Sequence, residues 1–294
     1  MLEPHLTLTM ALGEGPHWDV DQQRLHWVDI LSGELHQLDP ENNQHHIRRF
    51  DEPLAYAVPD DQGGYLAAFR SGLWRLDDQG QKQHHLVEGP QNPDISWCND
   101  SHCDAHGRLW FGTKNAEEAH PTGAFFSYQN ELTSHFEKVT ISNGIAISPD
   151  NRWLYFSDTP THRIYRYPLD IEQGKLGEPE LFADTRALAL PGSPDGAAID
   201  EAGHYWIAMY GGGVVVHFDD HGNVVETLPL LAPNPTKVAF GDSDLRTLYV
   251  TCARQGLDQA TLNQYPDAGS LFSTRVETPG LPGHRYRNTV RDSA

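Results

Sequence analysis

The 294-residue chain is poor in cysteine and lysine, has no long apolar run and shows almost no helical periodicity. Its three cysteines, Cys98, Cys103 and Cys252, are odd in number and lack metal-type pair spacing, which argues against a disulfide scaffold and a cysteine zinc site. They read as free thiols in a reducing compartment, so the chain is expected to be cytoplasmic. Only five of the 21 basic residues are lysines, and 41 acidic residues leave a formal net charge of −20. With no basic run against that field, nucleic acid and anionic membrane are not expected partners. No stretch of about 18 apolar residues is available for a membrane-spanning helix. The segment from Met1 to Met10 carries Glu3, Pro4 and His5 and does not read as a secretory leader.

What the chain does have is aromatic residues, 7 Trp, 11 Tyr and 11 Phe, enough apolar area to exclude disorder. They fall in short alternating or β-branched runs, the pattern of strands. Six times an Asp-rich turn leads into such a strand: Asp19 to Asp29, Asp60 to Phe69, Asp104 to Gly112, Asp150 to Asp158, Asp200 to Met209 and Asp242 to Thr251. Asp bonds the backbone two residues on, and Gly or Asn supplies the positive φ that tight hairpins require. The marker residues Trp27, Leu66, Trp110, Tyr155, Trp206 and Tyr249 are spaced by 39, 44, 45, 51 and 43 residues. That is the period of a four-stranded propeller blade, roughly 40–50 residues. The expected fold is therefore all-β, a six-bladed β-propeller with four-stranded antiparallel blades, occupying residues 1–294 as a single domain. The Pro-containing stretches 89–93, 190–194 and 231–235 fall between repeats and read as inter-blade loops.

In a propeller, polar residues from several blades converge on the central channel. Four small, polar segments precede repeats: Gly13-Glu14-Gly15-Pro16, Trp97-Cys98-Asn99-Asp100, Ser142-Asn143-Gly144-Ile145 and Ser193-Pro194-Asp195-Gly196. Each on its own is explained by turn chemistry. Together, in this order and spacing, they resemble the regucalcin/gluconolactonase family of six-bladed propellers, which hydrolyse sugar lactones with a bound divalent cation. The resemblance extends from Gly13 to Arg254 and takes in Arg24 to Asp29, Gly107 to Thr113, Ser142 to Asp150 and Pro194 to Ala208.

Carried over by position, the resemblance implies that Glu14, Asn143 and Asp195 ligate the metal. It implies substrate contacts from Asn99 and from Glu117. Family members often carry Arg two positions before the Asn, where this chain has Trp97, and often Lys where it has His102. Both are expected beside the substrate and bear on its identity. Two carboxylates and an amide oxygen suit a hard cation, Ca²⁺ first, with Mg²⁺, Mn²⁺, Zn²⁺ or Fe also accepted by such sites. The expected reaction is hydrolysis of an aldonolactone to the aldonic acid, the metal polarising the carbonyl and Asp195 activating water as general base. A paraoxonase-like promiscuous lactonase or esterase and a non-enzymatic calcium-binding propeller are the alternatives.

Other chemistry finds little support. The 17 histidines include no His-Glu-x-x-His pattern, and His45-His46 and His84-His85 read as solvated surface. No Gly-x-Ser-x-Gly elbow is present. Cys98 reads as a small buried thiol.

Overall fold

The structure is a computed structural model that describes residues 1–288; the last six residues of the expected domain, 289–294, lie outside the described part. Six antiparallel sheets form blades around a ring. Their innermost strands are Gly13–Asp19, Leu54–Pro59, Ile95–Cys103, Ser142–Ile147, Ser193–Ile199 and Pro235–Gly241, each packed beside the next and the last beside the first. The expected blade count and strand number hold. The fourth blade carries an extra pairing, Arg163–Asp170 with Lys175–Leu176, which accounts for the longest marker spacing.

The sixth blade is built from both chain ends. Its outermost strand is Glu3–Leu6, paired with Leu271–Arg275. Leu2 is buried among Trp206, Leu230 and Phe272. A ring closed this way has no open inner edge and locks the first blade against the sixth.

The repeated turns work as their composition predicts. Oδ1 of Asp19, Asp60, Asp104 and Asp200 accepts backbone N–H bonds from residues two to four further on. The marker aromatics return to the same aspartates: Trp110 Nε1 donates to Asp104 Oδ2 at 2.9 Å, and Trp206 Nε1 to Asp200 Oδ2 at 3.0 Å. The third and fifth blades thus tie their turns to their own cores. Of the histidines expected as solvated surface, His45 is half-buried and stacks on Trp27, while His85 is exposed on one side and stacks on Trp74, because the outer strands lay them over indole faces.

Closure through a four-residue strand makes its anchor costly to lose. Leu2→Ala is expected to lower the unfolding free energy by about 2–4 kcal/mol. Chemical denaturation checks this, and a change below about 0.5 kcal/mol would show that the N-terminal strand does not close the ring.

Candidate active site

All six innermost strands carry a one-residue bulge near their start, and the third carries a second, between Ser96 and Cys98. In the first it lies between Glu14 and His17, in the third between Cys98 and Ser101, in the fourth between Asn143 and Ala146, in the fifth between Pro194 and Ala197. A bulge re-aims a side chain without ending the strand. The four polar segments are therefore parts of strands, where the sequence suggested loops before them. Gly15 at φ +57° and Gly144 at φ +67° take the left-handed turn that bulging imposes. A Cβ on Gly144 would meet the Tyr205 hydroxyl at 2.6 Å.

The bulges bring Glu14, Asn99, Asn143 and Asp195 to one cavity of about 70 Å³ at the end of the channel where the innermost strands begin. Glu14 and Asp195 are each 6% exposed. One Glu14 oxygen accepts the Gly15 N–H at 2.9 Å. Among the described residues no donor hydrogen-bonds the Asp195 carboxylate. Burial raises the proton affinity of both carboxyls above the usual range, and each is pushed further by neighbouring carboxylates: Asp100 beside Glu14, and Glu14 and Asp100 beside Asp195.

Asn143 is held in one orientation. Its Nδ2 donates to Thr159 Oγ1 at 2.8 Å, and its Oδ1 accepts from Asn99 Nδ2 at 3.1 Å. Asn99 Nδ2 also donates to the Ser142 carbonyl at 3.0 Å, so its own Oδ1 is left as an acceptor at the cavity. Two buried carboxylates and a directed amide oxygen, with no fixed cation hydrogen-bonded to Asp195, form a hard oxygen donor set that fits a divalent cation.

Three expected substrate residues are elsewhere. Trp97 is 6% exposed and packs on Phe111 in the core; it is the extra residue of a second register shift, between Ser96 and Cys98, which breaks the alternation that would put it on the same face as Asn99. His102 lies beyond the bulge and lines a separate cavity at the far end of the channel, with His17 and His284. Glu117 is exposed on the turn after Leu109–Asn115, and its neighbour Glu118 lines the site instead, in the left-handed region at φ +58°.

Several site residues carry no sequence signal of their own: Lys114, ion-paired to Glu118, and Thr159, Tyr210 and Gln255 at the cavity wall. Lys237 could have been found. It is one of only five lysines and sits in the apolar strand Pro235–Gly241. Its ammonium is buried and bonds Asp100 Oδ1 and, at 2.8 Å, the Ser101 carbonyl. Asp100 Oδ2 in turn accepts the Ile145 N–H at 2.8 Å, so this pair ties the third, fourth and sixth blades together below the carboxylates.

The chain is 41% identical over 272 residues to a 6-deoxy-6-sulfogluconolactonase of Pseudomonas putida, spanning 92% of this chain and 93% of that one. It is 34% identical over 289 residues to a pentonolactonase of Haloferax volcanii, spanning 95% of each. The crystal structure of regucalcin, a calcium-binding protein from Agrobacterium tumefaciens, superposes with a TM-score of 0.92 at 29% identity, covering 97% of this chain and 98% of that one. The sequence model described as SMP-30/Gluconolactonase/LRE-like region matches residues 12–254, and the chain belongs to that family.

Proposed function

We propose that the protein is a divalent-cation-dependent lactonase that opens an aldonolactone to the aldonic acid. The observation that carries this reading is the pair of buried carboxylates, Glu14 and Asp195, facing one cavity with the fixed Asn143 oxygen and, among the described residues, no cation hydrogen-bonded to them. Relatives named as lactonases of a sulfonated hexose and of pentoses support a sugar lactone as substrate.

Glu14, Asn143 and Asp195 would hold the cation, which when bound supplies positive charge to polarise a lactone carbonyl. Ca²⁺ is the first choice for this all-oxygen set. A lactone is an activated ester, so no covalent nucleophile is required. Asp195 takes a proton from water as its oxygen bonds to the carbonyl carbon; burial raises the affinity of its carboxylate for that proton. The carbon–ring-oxygen bond then breaks, and the proton is delivered to the departing oxygen. Asn99 Oδ1 is free to accept a sugar hydroxyl, while Lys114, Glu118 and Gln255 provide further polar contacts at the wall. The three free, buried thiols agree with a reducing compartment such as the cytoplasm. Joining of the two chain ends in one blade supports reading the chain as one domain.

Two outcomes are expected. In a pH-indicator assay over a panel of pentono- and hexonolactones, acid release from at least one is expected to fall by about 10²-fold or more after chelation and to return with Ca²⁺ or Mn²⁺; an undiminished rate in metal-free protein would contradict the reading. Asp195→Asn, assayed with metal occupancy verified, is expected to lower kcat by about 10²–10⁴-fold. Near-wild-type turnover would remove Asp195 as the base.

A further inference from the structure

The repeated turns differ in how their buried aspartates are neutralised. Asp19 is paired with Arg285 at 2.6 Å, Asp60 with Arg75 at 2.9 Å and Asp104 with Arg108 at 3.1 Å. Asp200, whose carboxylate is fully buried, has neither Arg nor Lys against it among the described residues. Its neighbours are two imidazoles that stand where other blades put arginine. His204 follows Asp200 by four residues, as Arg108 follows Asp104. His217 pairs across from Trp206, as Arg75 pairs across from Leu66.

The two rings converge on the carboxylate. His204 Nδ1 is 2.9 Å from His217 Nε2, and Asp200 Oδ2 is 3.8 Å and 4.0 Å from those same nitrogens. A point equidistant from the three atoms lies about 2.1 Å from each, within the roughly 2.0–2.2 Å of zinc–nitrogen and zinc–carboxylate bonds. The rings are also oriented for this. His217 Nδ1 faces Glu226 Oε1 at 3.3 Å, which fixes the proton there and turns the Nε2 lone pair towards Asp200. Trp206 stacks on the His217 ring at 3.7 Å between centroids and holds its plane. Without an ion, His204 Nδ1–H donates to that lone pair. That equidistant point lies in the plane of the three atoms; tetrahedral binding requires that the His204 proton move to Nε2 of the same ring, that the two nitrogens part by about 0.4 Å and that the Asp200 oxygen close on both by about 0.5 Å, which lifts the ion out of that plane and leaves its fourth position to water.

We propose that Asp200, His204 and His217 form a second metal site, selective for a tetrahedral transition ion of the Zn²⁺ class, with Glu226 as the group that orients His217. The ion replaces the missing arginine of the fifth blade and clamps its first turn to the strand Val214–Phe218. Asp200 directly follows the strand Ser193–Ile199 that carries Asp195 near its start, five residues on and roughly 16 Å away by strand rise, so this site is separate from the carboxylate cavity. Its nitrogen ligands favour Zn²⁺ or Co²⁺ over Ca²⁺.

Cobalt reads the site without reference to activity. Metal-stripped full-length protein carrying Glu14→Gln, which disables the carboxylate cavity, is titrated with Co²⁺ and followed by visible absorption. The expected result is one equivalent of Co²⁺ with the intense bands of tetrahedral geometry, displaced by Zn²⁺. Adding His204→Gln, at a side chain 30% exposed, is expected to abolish the bands in a protein whose circular dichroism is unchanged. Glu226→Gln is expected to keep them with affinity lowered about 10–100-fold. Absence of tetrahedral bands in Glu14→Gln protein, or their survival in the folded His204→Gln variant, would overturn the proposal.

Discussion

Ring closure is the constraint on which the rest depends. The first and fifth blades are held on either side of the sixth, which is assembled from Glu3–Leu6 and the strands up to Arg275. That closure brings Glu14 and Asp195, 181 positions apart, to one cavity. Burial raises the proton affinity of both carboxylates, with Asp100 adding to Glu14, and Glu14 and Asp100 adding to Asp195, and the fold sustains the arrangement from many small contributions: stacked aromatics, turn aspartates tied to indoles, and bulges that fix where each side chain points.

The channel is graded in charge. At its polar end stand the two carboxylates, with Lys114 and Glu118 paired at the wall. Below them Lys237 and Asp100 form a buried ion pair whose remaining oxygen caps the Ile145 amide. Removing one member of such a pair typically costs about 3–5 kcal/mol, because the other is left uncompensated. The ammonium also lowers the proton affinity of both Glu14 and Asp195, against the raising effects of burial and Asp100. Lys237 is thus a positioning and electrostatic residue of the site. The net charge of −20 resolves along these lines: turn aspartates that shape hairpins, two carboxylates suited to a cation, and solvated surface.

The blade architecture was legible because its signal is local and repeated. An Asp turn followed by an aromatic strand states the same physics six times, and the markers Trp110 and Trp206 make the same bond to Asp104 and Asp200. Glu14, Asn99, Asn143 and Asp195 were legible only as an ordered set resembling a known family. What failed was orientation within a strand. Trp97 and His102 flank Asn99 closely in sequence, but two register shifts, between Ser96 and Cys98 and between Cys98 and Ser101, separate the three side chains to the core, the far cavity and the site. Glu117 and Glu118 differ only in which one the turn directs inward. Closure by Glu3–Leu6 and the meeting of His204 with His217 depend on tertiary pairing, which neither period nor motif encodes.

The central claim is that a divalent cation relieves the buried Glu14–Asp195 pair. Because both proton affinities are raised in the fold, ionising these groups as pH rises above the ordinary carboxylate range opposes folding of the metal-free chain. The most direct measurement is the thermal midpoint of metal-stripped wild type and Asp195→Asn at neutral pH, with and without Ca²⁺. The account predicts that Ca²⁺ at 100 times its Kd stabilises wild type by about 2.7 kcal/mol. It also predicts that metal-free Asp195→Asn melts above metal-free wild type and gains little from Ca²⁺. A wild type indifferent to Ca²⁺, or an Asp195→Asn variant that melts lower and still responds fully, would contradict it.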